Sequence, residues 1–210
     1  PAEQWEEAQR IMGEILDNLG VEYEIGIDEA AFYGPKLDIQ YKNVFGKEDT
    51  IVTIQIDMLL AKKFGMEYTD QNDTRVTPYI IHRTSLGCYE RTLALLIEKY
   101  AGALPMWMAP EQIRILPIGD EQAEYANDIA NKARDLGMRV TVDARNEKIG
   151  YKIRAAQLEK IPYMLVIGEK EMAEGTVSPR SRKSGDMGAM PASEFLAFAA
   201  EQIRTKNLEN

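Results

Sequence analysis

Cysteine is almost missing from this 210-residue chain: Cys88 stands alone, so no intramolecular disulfide and no Cys-x-x-Cys metal cluster can form. A reducing, cytoplasmic setting is therefore expected. Histidine is equally scarce, His82 being the only one. No apolar run approaches the roughly 18 residues that cross a bilayer, so no membrane association is expected. The N-terminus Pro-Ala-Glu-Gln does not read as a signal peptide. A start at Pro1 without methionine is expected of a processed chain or an excised piece. Neither a P-loop nor a dinucleotide-binding glycine fingerprint occurs. No serine sits in a nucleophile elbow, although His82 leaves a Ser/His/Asp triad open on composition alone. Internal repeats and low-complexity stretches are lacking too. So is basic charge: 25 Lys and Arg face 34 Asp and Glu, a net −9 that on its face argues against nucleic acid.

What is present is ordinary for a soluble domain, with 45% hydrophobic and 28% charged residues. At roughly 100–200 residues per domain, the length allows one or two domains, each with a core of its own. The charge is unevenly spread. Residues 145–183 carry nine Lys and Arg against five acids, a local +4, while residues 1–144 sum to −11. A basic segment in an acidic protein reads as a local polyanion footprint, the plain alternative being a solvated charged face.

The spacing of Trp5, Ala8, Ile11, Met12, Ile15, Leu16 and Leu19 predicts an amphipathic helix over residues 3–19, ended by Gly20. Alternating runs at Val21–Ile27, Leu37–Val44 and Thr50–Met58 predict antiparallel strands, with turns at Tyr33-Gly34-Pro35 and near Gly46. A helical turn at Leu59–Phe64, a loop or hairpin end at Thr69–Asp73, a strand at Thr77–Ile81 and a helix at Tyr89–Tyr100 follow, Gly102 closing the last. Residues 101–112 hold two prolines and a glycine and mark a domain boundary, giving domains 1–108 and 109–210.

Beyond that boundary strands and helices alternate. The strands are Gln112–Ile118, Arg139–Asp143, Tyr163–Ile167 and an edge strand Thr176–Arg182; the helices are Glu121–Leu136, Ile149–Lys160 and Ser193–Thr205. This pattern predicts an α/β domain on a mainly parallel sheet. Ligands of such sheets sit at the carboxyl ends of strands, where Asp143–Lys148 and Gly168–Glu171 fall.

The densest cluster of chemistry-bearing side chains is His82-Arg83-Thr84-Ser85-Leu86-Gly87-Cys88-Tyr89-Glu90-Arg91, running from a strand through a glycine into a helix. Histidine is the commonest metal ligand and arginine a forked donor suited to phosphate. The plain alternative is a packing histidine and a helix-surface arginine.

The run from Ile81 to Pro110 resembles the third signature motif of class II aminoacyl-tRNA synthetases, in the form found in the threonyl-tRNA synthetase family. Four further stretches are similar to that family and in the same order: Ala31–Lys36, Thr53–Asp57, Arg145–Arg154 and Ile161–Gly168. The resemblance covers nearly the whole chain. It implies the second half of an antiparallel-sheet catalytic domain, followed by an α/β anticodon-binding domain with a mainly parallel mixed sheet. Threonine tRNA, ATP with Mg²⁺ as its counter-ion, and threonine are the implied partners, and a homodimer the implied full-length assembly.

Residue by residue, the resemblance implies that His82 is one of three protein ligands of a zinc that recognises the threonine hydroxyl. It places Arg91 on the ATP γ-phosphate, Tyr33 and Gln55 in the threonine pocket, Lys36 beside it and Thr53 on ATP, with Arg91 and Gln55 nearest the chemistry. Asn146, Lys170, Glu171 and Arg180 match residues that read anticodon bases, whose splayed edges suit amide, carboxylate and guanidinium groups. The chain departs from the family in two ways. Asp49-Thr50-Ile51-Val52 replaces Trp-Gln-Cys-Gly, so that Thr50 stands where an ATP-touching glutamine is common. The first two signature motifs and two zinc ligands have no match, so His82 alone would hold zinc weakly and the isolated chain is expected to be inactive. Two other readings remain: a catalytically silent, synthetase-like RNA-binding module, and an unrelated small α/β enzyme.

Overall fold

The computed structural model describes residues 2–208. The chain forms two compact units, one ending at Leu95 and the other starting at Leu96. No helix among the described residues is long and apolar enough to cross a membrane.

In the first unit, helix α1 (Ala2–Leu19) ends where Gly20 turns the backbone left-handed at φ +64°. Its periodicity is as expected, but Ala8 is its one buried residue. The alternating run Val21–Ile27 forms no strand, and Ile25 and Ile27 are both 77% exposed. Alternation is a side-chain pattern, whereas a strand needs a neighbouring backbone to bond, and none of the described residues supplies one. Strands β1 (Lys36–Lys42) and β2 (Glu48–Asp57) then pair antiparallel. A bulge between Ile39 and Gln40 shifts their register by one residue. Helix α2 (Leu60–Lys63) and the hairpin β3 (Tyr68–Thr69)–β4 (Arg75–Val76) precede β5 (Ile80–Arg83), which completes the sheet order β1-β2-β5. Helix α3 spans Tyr89–Tyr100, and Gly102 follows it at φ +75°.

The second unit is built on β6 (Ile113–Pro117), β7 (Val140–Val142), β8 (Tyr163–Ile167), β9 (Thr176–Ser181), β10 (Gly185–Asp186) and β11 (Met190–Pro191). Strands β7, β6 and β8 run parallel, and β9 is antiparallel to β8. The sequence reading put β9 at an edge, but β10 and β11 pair with its outer side through only two residues each, too short to show as strand patterns.

Side chains of a strand alternate between faces, and both faces of this sheet are apolar. Ile113, Ile115, Leu165 and Ile167 pack on helices α4 (Ala123–Asp135) and α7 (Ala192–Arg204) through Ala126, Ile129, Ala130, Phe195 and Leu196. Leu116 and Met164 face the opposite way, onto Ala156 of helix α5 (Ile149–Leu158). A short helix that the sequence reading did not anticipate, α6 (Glu169–Glu174), follows β8.

The proline-rich segment after Gly102 is built into this second unit. Arg182 Nη2 donates to the carbonyls of Ala103 and Leu104 at 3.0 Å each, and its Nη1 to that of Lys160 at 2.6 Å. Gln112 Nε2 donates to Met106 O at 3.0 Å, and Arg139 Nε to Ala109 O at 2.9 Å.

Candidate functional site

In an antiparallel sheet, residues directly opposite one another share a face. The register pairs Lys36 with Gln55 and Gln55 with His82, so these three side chains form one row across β1, β2 and β5. Asp38 and Thr53, paired with each other, lie two residues further along the same face, and Asp57 lies two residues the other way. The opposite face carries Leu37, Ile39, Ile54, Ile56 and Ile81. Period-two patterning has thus sorted the sheet into an apolar side and a polar side, and the polar side holds every strand residue for which the family resemblance implies a substrate or zinc role.

Hydrogen bonds tie this polar row together. Tyr33, in the turn before β1, donates its hydroxyl to Gln55 Oε1 at 2.7 Å, and its ring lies 6.0 Å from that of His82. The turn itself is pinned to β2: Met58 N donates to Tyr33 O at 3.0 Å and Ile56 N to Pro35 O at 3.1 Å. Gly34 makes that approach possible, since a Cβ there would stand 1.7 Å from Ile56 O.

Asp38 accepts from Lys36 Nζ on one oxygen and from Thr53 Oγ1, at 2.7 Å, on the other. Asp57 is fully buried. Its Oδ1 accepts from the backbone N–H groups of Leu59 and Leu60 at 2.8 and 2.9 Å, and its Oδ2 lies 3.0 Å from His82 Nε2. Burial opposes ionisation of Asp57, but the Leu60 N–H, His82 and Leu59 N–H together outweigh it and hold the carboxyl below the usual aspartate range. A carboxylate only accepts, so in a neutral His82 ring Nε2 carries the proton and Nδ1 keeps the lone pair. Sequence reasoning singled out neither Asp38 nor Asp57; only the strand register shows what they grip.

Arg91 comes to the site from α3. Its Nη1 donates to Thr50 O at 2.7 Å, fixing the first turn of the helix against β2. Gly87 lets the preceding turn in: its φ is +66°, and a Cβ there would meet Ile51 O at 1.7 Å.

One imidazole with a carboxylate behind it is the usual half of a histidine metal site. Among the described residues, however, no group of three His, Cys, Asp or Glu side chains could hold a metal ion. His82 fits as a single ligand, and a zinc there would need its remaining ligands from outside these residues.

In the second unit, Asn146 is exposed in the loop after β7, and Lys170 and Glu171 lie in the first turn of α6, just after β8. Both positions are at the carboxyl edge of the parallel strands, separated by β6; with strands about 4.8 Å apart the edge extends roughly 10–15 Å. Glu171 is committed internally, accepting from Gly168 N–H at 2.9 Å and Ser178 Oγ at 2.8 Å. Burial opposes its ionisation, and these two bonds reverse the effect and lower its pKa. Arg180 lies two residues from Ser178 on the same side of β9, roughly 7 Å along the strand. Its Nη1 donates to Asp186 at 2.9 Å, while its buried Nε has no partner among the described residues.

Lys152, which the sequence reading left among the general basic residues, is only 3% exposed. Its Nζ donates to Pro117 O at 2.9 Å, in the wall of a cavity of about 170 Å³ that Asn146, Arg145 and Asp120 also line. Beside it Arg145 forks onto Asp143, at 2.8 and 2.6 Å, and lies over the Tyr151 ring.

Comparison with known proteins accounts for both units. Residues 2–100 match the tRNA synthetase class II core domain (G, H, P, S and T), and residues 112–202 match the anticodon binding domain. Threonine–tRNA ligase of Clostridium perfringens is 60% identical over 194 residues, covering 92% of this chain and 30% of the relative. That of Clostridium botulinum is 54% identical over 204 residues, covering 97% and 32%. The crystal structure of the RNA binding domain of threonyl-tRNA synthetase from Cryptosporidium parvum superposes with a TM-score of 0.85 at 32% identity, over 96% of this chain and 51% of that one. Both domain types, the order of the motifs and the identity to these ligases agree: the chain belongs to the threonyl-tRNA synthetase family, of whose curated members named here it spans about 30% of the length.

Proposed function

We propose that this chain supplies part of the catalytic core and the anticodon-binding domain of a cytoplasmic, homodimeric threonine–tRNA ligase. The ligase activates threonine with ATP and Mg²⁺ and passes it to threonine tRNA. One observation carries the catalytic half: Lys36, Gln55 and His82 stand in register on one sheet face, with Thr53 beside them and Tyr33 hydrogen-bonded to Gln55. Lys36 and Arg91 bring cations for carboxylate and phosphate oxygens, Tyr33 and Gln55 line the threonine pocket, and Thr53 touches ATP. Zinc, when bound with further ligands, supplies a Lewis acid for the threonine hydroxyl; His82, oriented by Asp57, gives one of its nitrogens. Asn146, Lys170, Glu171 and Arg180 form the anticodon surface, where Asn146 is exposed and the Arg180 side chain partly so.

Threonine-dependent exchange of pyrophosphate into ATP tests the catalytic half. The full-length ligase containing this chain exchanges, and Arg91→Ala lowers its kcat/KM by about a hundredfold, as removal of a transition-state contact does. The 210-residue chain alone does not exchange, since it has no match to the second motif and its phosphate-holding arginine. A full-length protein that binds threonine tRNA but exchanges no pyrophosphate would make this a silent RNA-binding module instead.

A further inference from the structure

We infer that Asp38 is a positioning residue that sets the hydrogen-bond polarity of the substrate face, an inference that rests on that face being the ATP and threonine site. Asp38 lies between two residues assigned to substrate, and each of its oxygens takes one of them: Lys36 Nζ on Oδ2 and Thr53 Oγ1 on Oδ1. Its side chain is 12% exposed and that of Lys36 25%, so the cluster is largely shielded from solvent.

The consequence follows from counting donors and acceptors. A carboxylate has acceptor sites only, so the single Thr53 hydroxyl proton is spent on Asp38. Thr53 then offers a ligand nothing but lone pairs, and the ligand group meeting it must donate: an amine or a ribose hydroxyl, not a phosphate oxygen. Lys36 has three protons, gives one to Asp38 and keeps two for an acceptor, a carboxylate or phosphate oxygen. Asp38 therefore makes two adjacent side chains opposite in character, an acceptor at Thr53 and a cationic donor at Lys36. Without it the hydroxyl would be free to rotate and the ammonium free to leave the row, since long lysine side chains have many rotamers to recover.

The neighbouring carboxylate, Asp57, has a different task. Two of its three bonds go to backbone N–H groups at the start of α2, so its removal would disturb the chain path as well as His82. Asp38 has no backbone partner among the hydrogen bonds of the described residues, and its substitution separates positioning from folding more cleanly.

The experiment is a double-mutant cycle in the full-length ligase, read by pyrophosphate exchange and thermal melting. Asp38→Asn, Thr53→Val and the pair are compared at varied ATP and threonine. We expect Asp38→Asn to raise the KM for ATP about tenfold with Tm held within about 2 °C. We expect the pair to lose no more than the worse single variant, because coupled residues are not additive. Asp38→Glu keeps the charge but displaces the oxygens by one methylene, and should also raise KM. Multiplying losses in the double variant, an unchanged KM in either Asp38 variant, or a fall in Tm with KM intact would each overturn the inference. An unsubstituted full-length protein without exchange would instead sink the assignment of the face to ATP and threonine.

Discussion

The two units bury their apolar residues to very different extents. From Met106 onward the chain fills two clusters on the faces of one sheet, with Phe195, Ile113, Ile115, Leu116 and Met164 wholly buried. Before Leu95 the only buried hydrophobic residues described are Ala8 and Ala61, while Phe32, Phe45 and Phe64 are 84%, 87% and 72% exposed. The second unit therefore closes its own core, and the first presents a polar row on a sheet whose apolar residues are only partly covered. Hydrophobic burial is the main favourable term in folding, so the polar row of the first unit depends more on local hydrogen bonds and on glycine-permitted close approaches.

Separating the units is the harshest test of that contrast. Residues 96–210 expressed alone should melt cooperatively, and residues 1–95 alone should show no cooperative transition by circular dichroism. Two cooperative melts would end the comparison.

A pair of glycine substitutions sharpens it. Gly87 and Gly175 have nearly the same φ, +66° and +68°, but a Cβ at Gly87 collides with Ile51 O whereas at Gly175 nothing stands within 4 Å. Gly175→Ala should cost about 1 kcal/mol, the penalty of a left-handed alanine. Gly87→Ala should cost several times that locally and displace Arg91, lowering kcat in the full-length ligase well beyond its effect on Tm. Equal losses at the two sites would show that the turn before α3 is not held as tightly as its geometry requires.

The proposed anticodon surface should respond more gently. Arg180→Ala is expected to weaken binding of threonine tRNA by about tenfold, a good base contact being worth roughly 1–3 kcal/mol. A titration against an anticodon-swapped tRNA at fixed salt checks it, and equal binding of both RNAs by the unsubstituted chain would reject the assignment.

The smallest effect is one of pH. The folded pKa of Glu171 is depressed, so its contribution is fully present above the ordinary glutamate value of 4.5 and disappears as pH falls through the lower folded value. The stability of residues 96–210 should therefore drop in acid, and Glu171→Gln should flatten that drop while lowering Tm at neutral pH. A superimposable acid profile for the two proteins would show that Glu171 is not the group responsible.

Much of this was readable in the chain. Period-two runs located β1 and β2, a fully apolar run located β8, and the Tyr33-Gly34-Pro35 turn and the ends of α3 fell where glycine and proline chemistry put them. What escaped has a common cause. The roles of Asp38 and Asp57 are contacts across strands, invisible until the register is known. The burial of Lys152 depends on how α5 lies on the end of β6, and a charged residue in a basic segment gives no local sign of it. Val21–Ile27 misled in the opposite sense, having the pattern of a strand and no neighbour to pair with.

The bulge between Ile39 and Gln40 resets the phase of β2. From Thr53 to Asp57 the odd-numbered residues share the side of Lys36 and Asp38; past the bulge, Thr50 pairs with Gln40 and Glu48 with Lys42, so the even-numbered ones take that side. Had the ladder run on unbroken, Thr50 would point away from the polar row. The extra residue, Ile51, has no partner in β1, and its carbonyl is the atom against which Gly87 fits. One inserted residue thus acts as a frameshift in the strand, returning Thr50 to the polar side and opening the berth for the turn that carries Arg91.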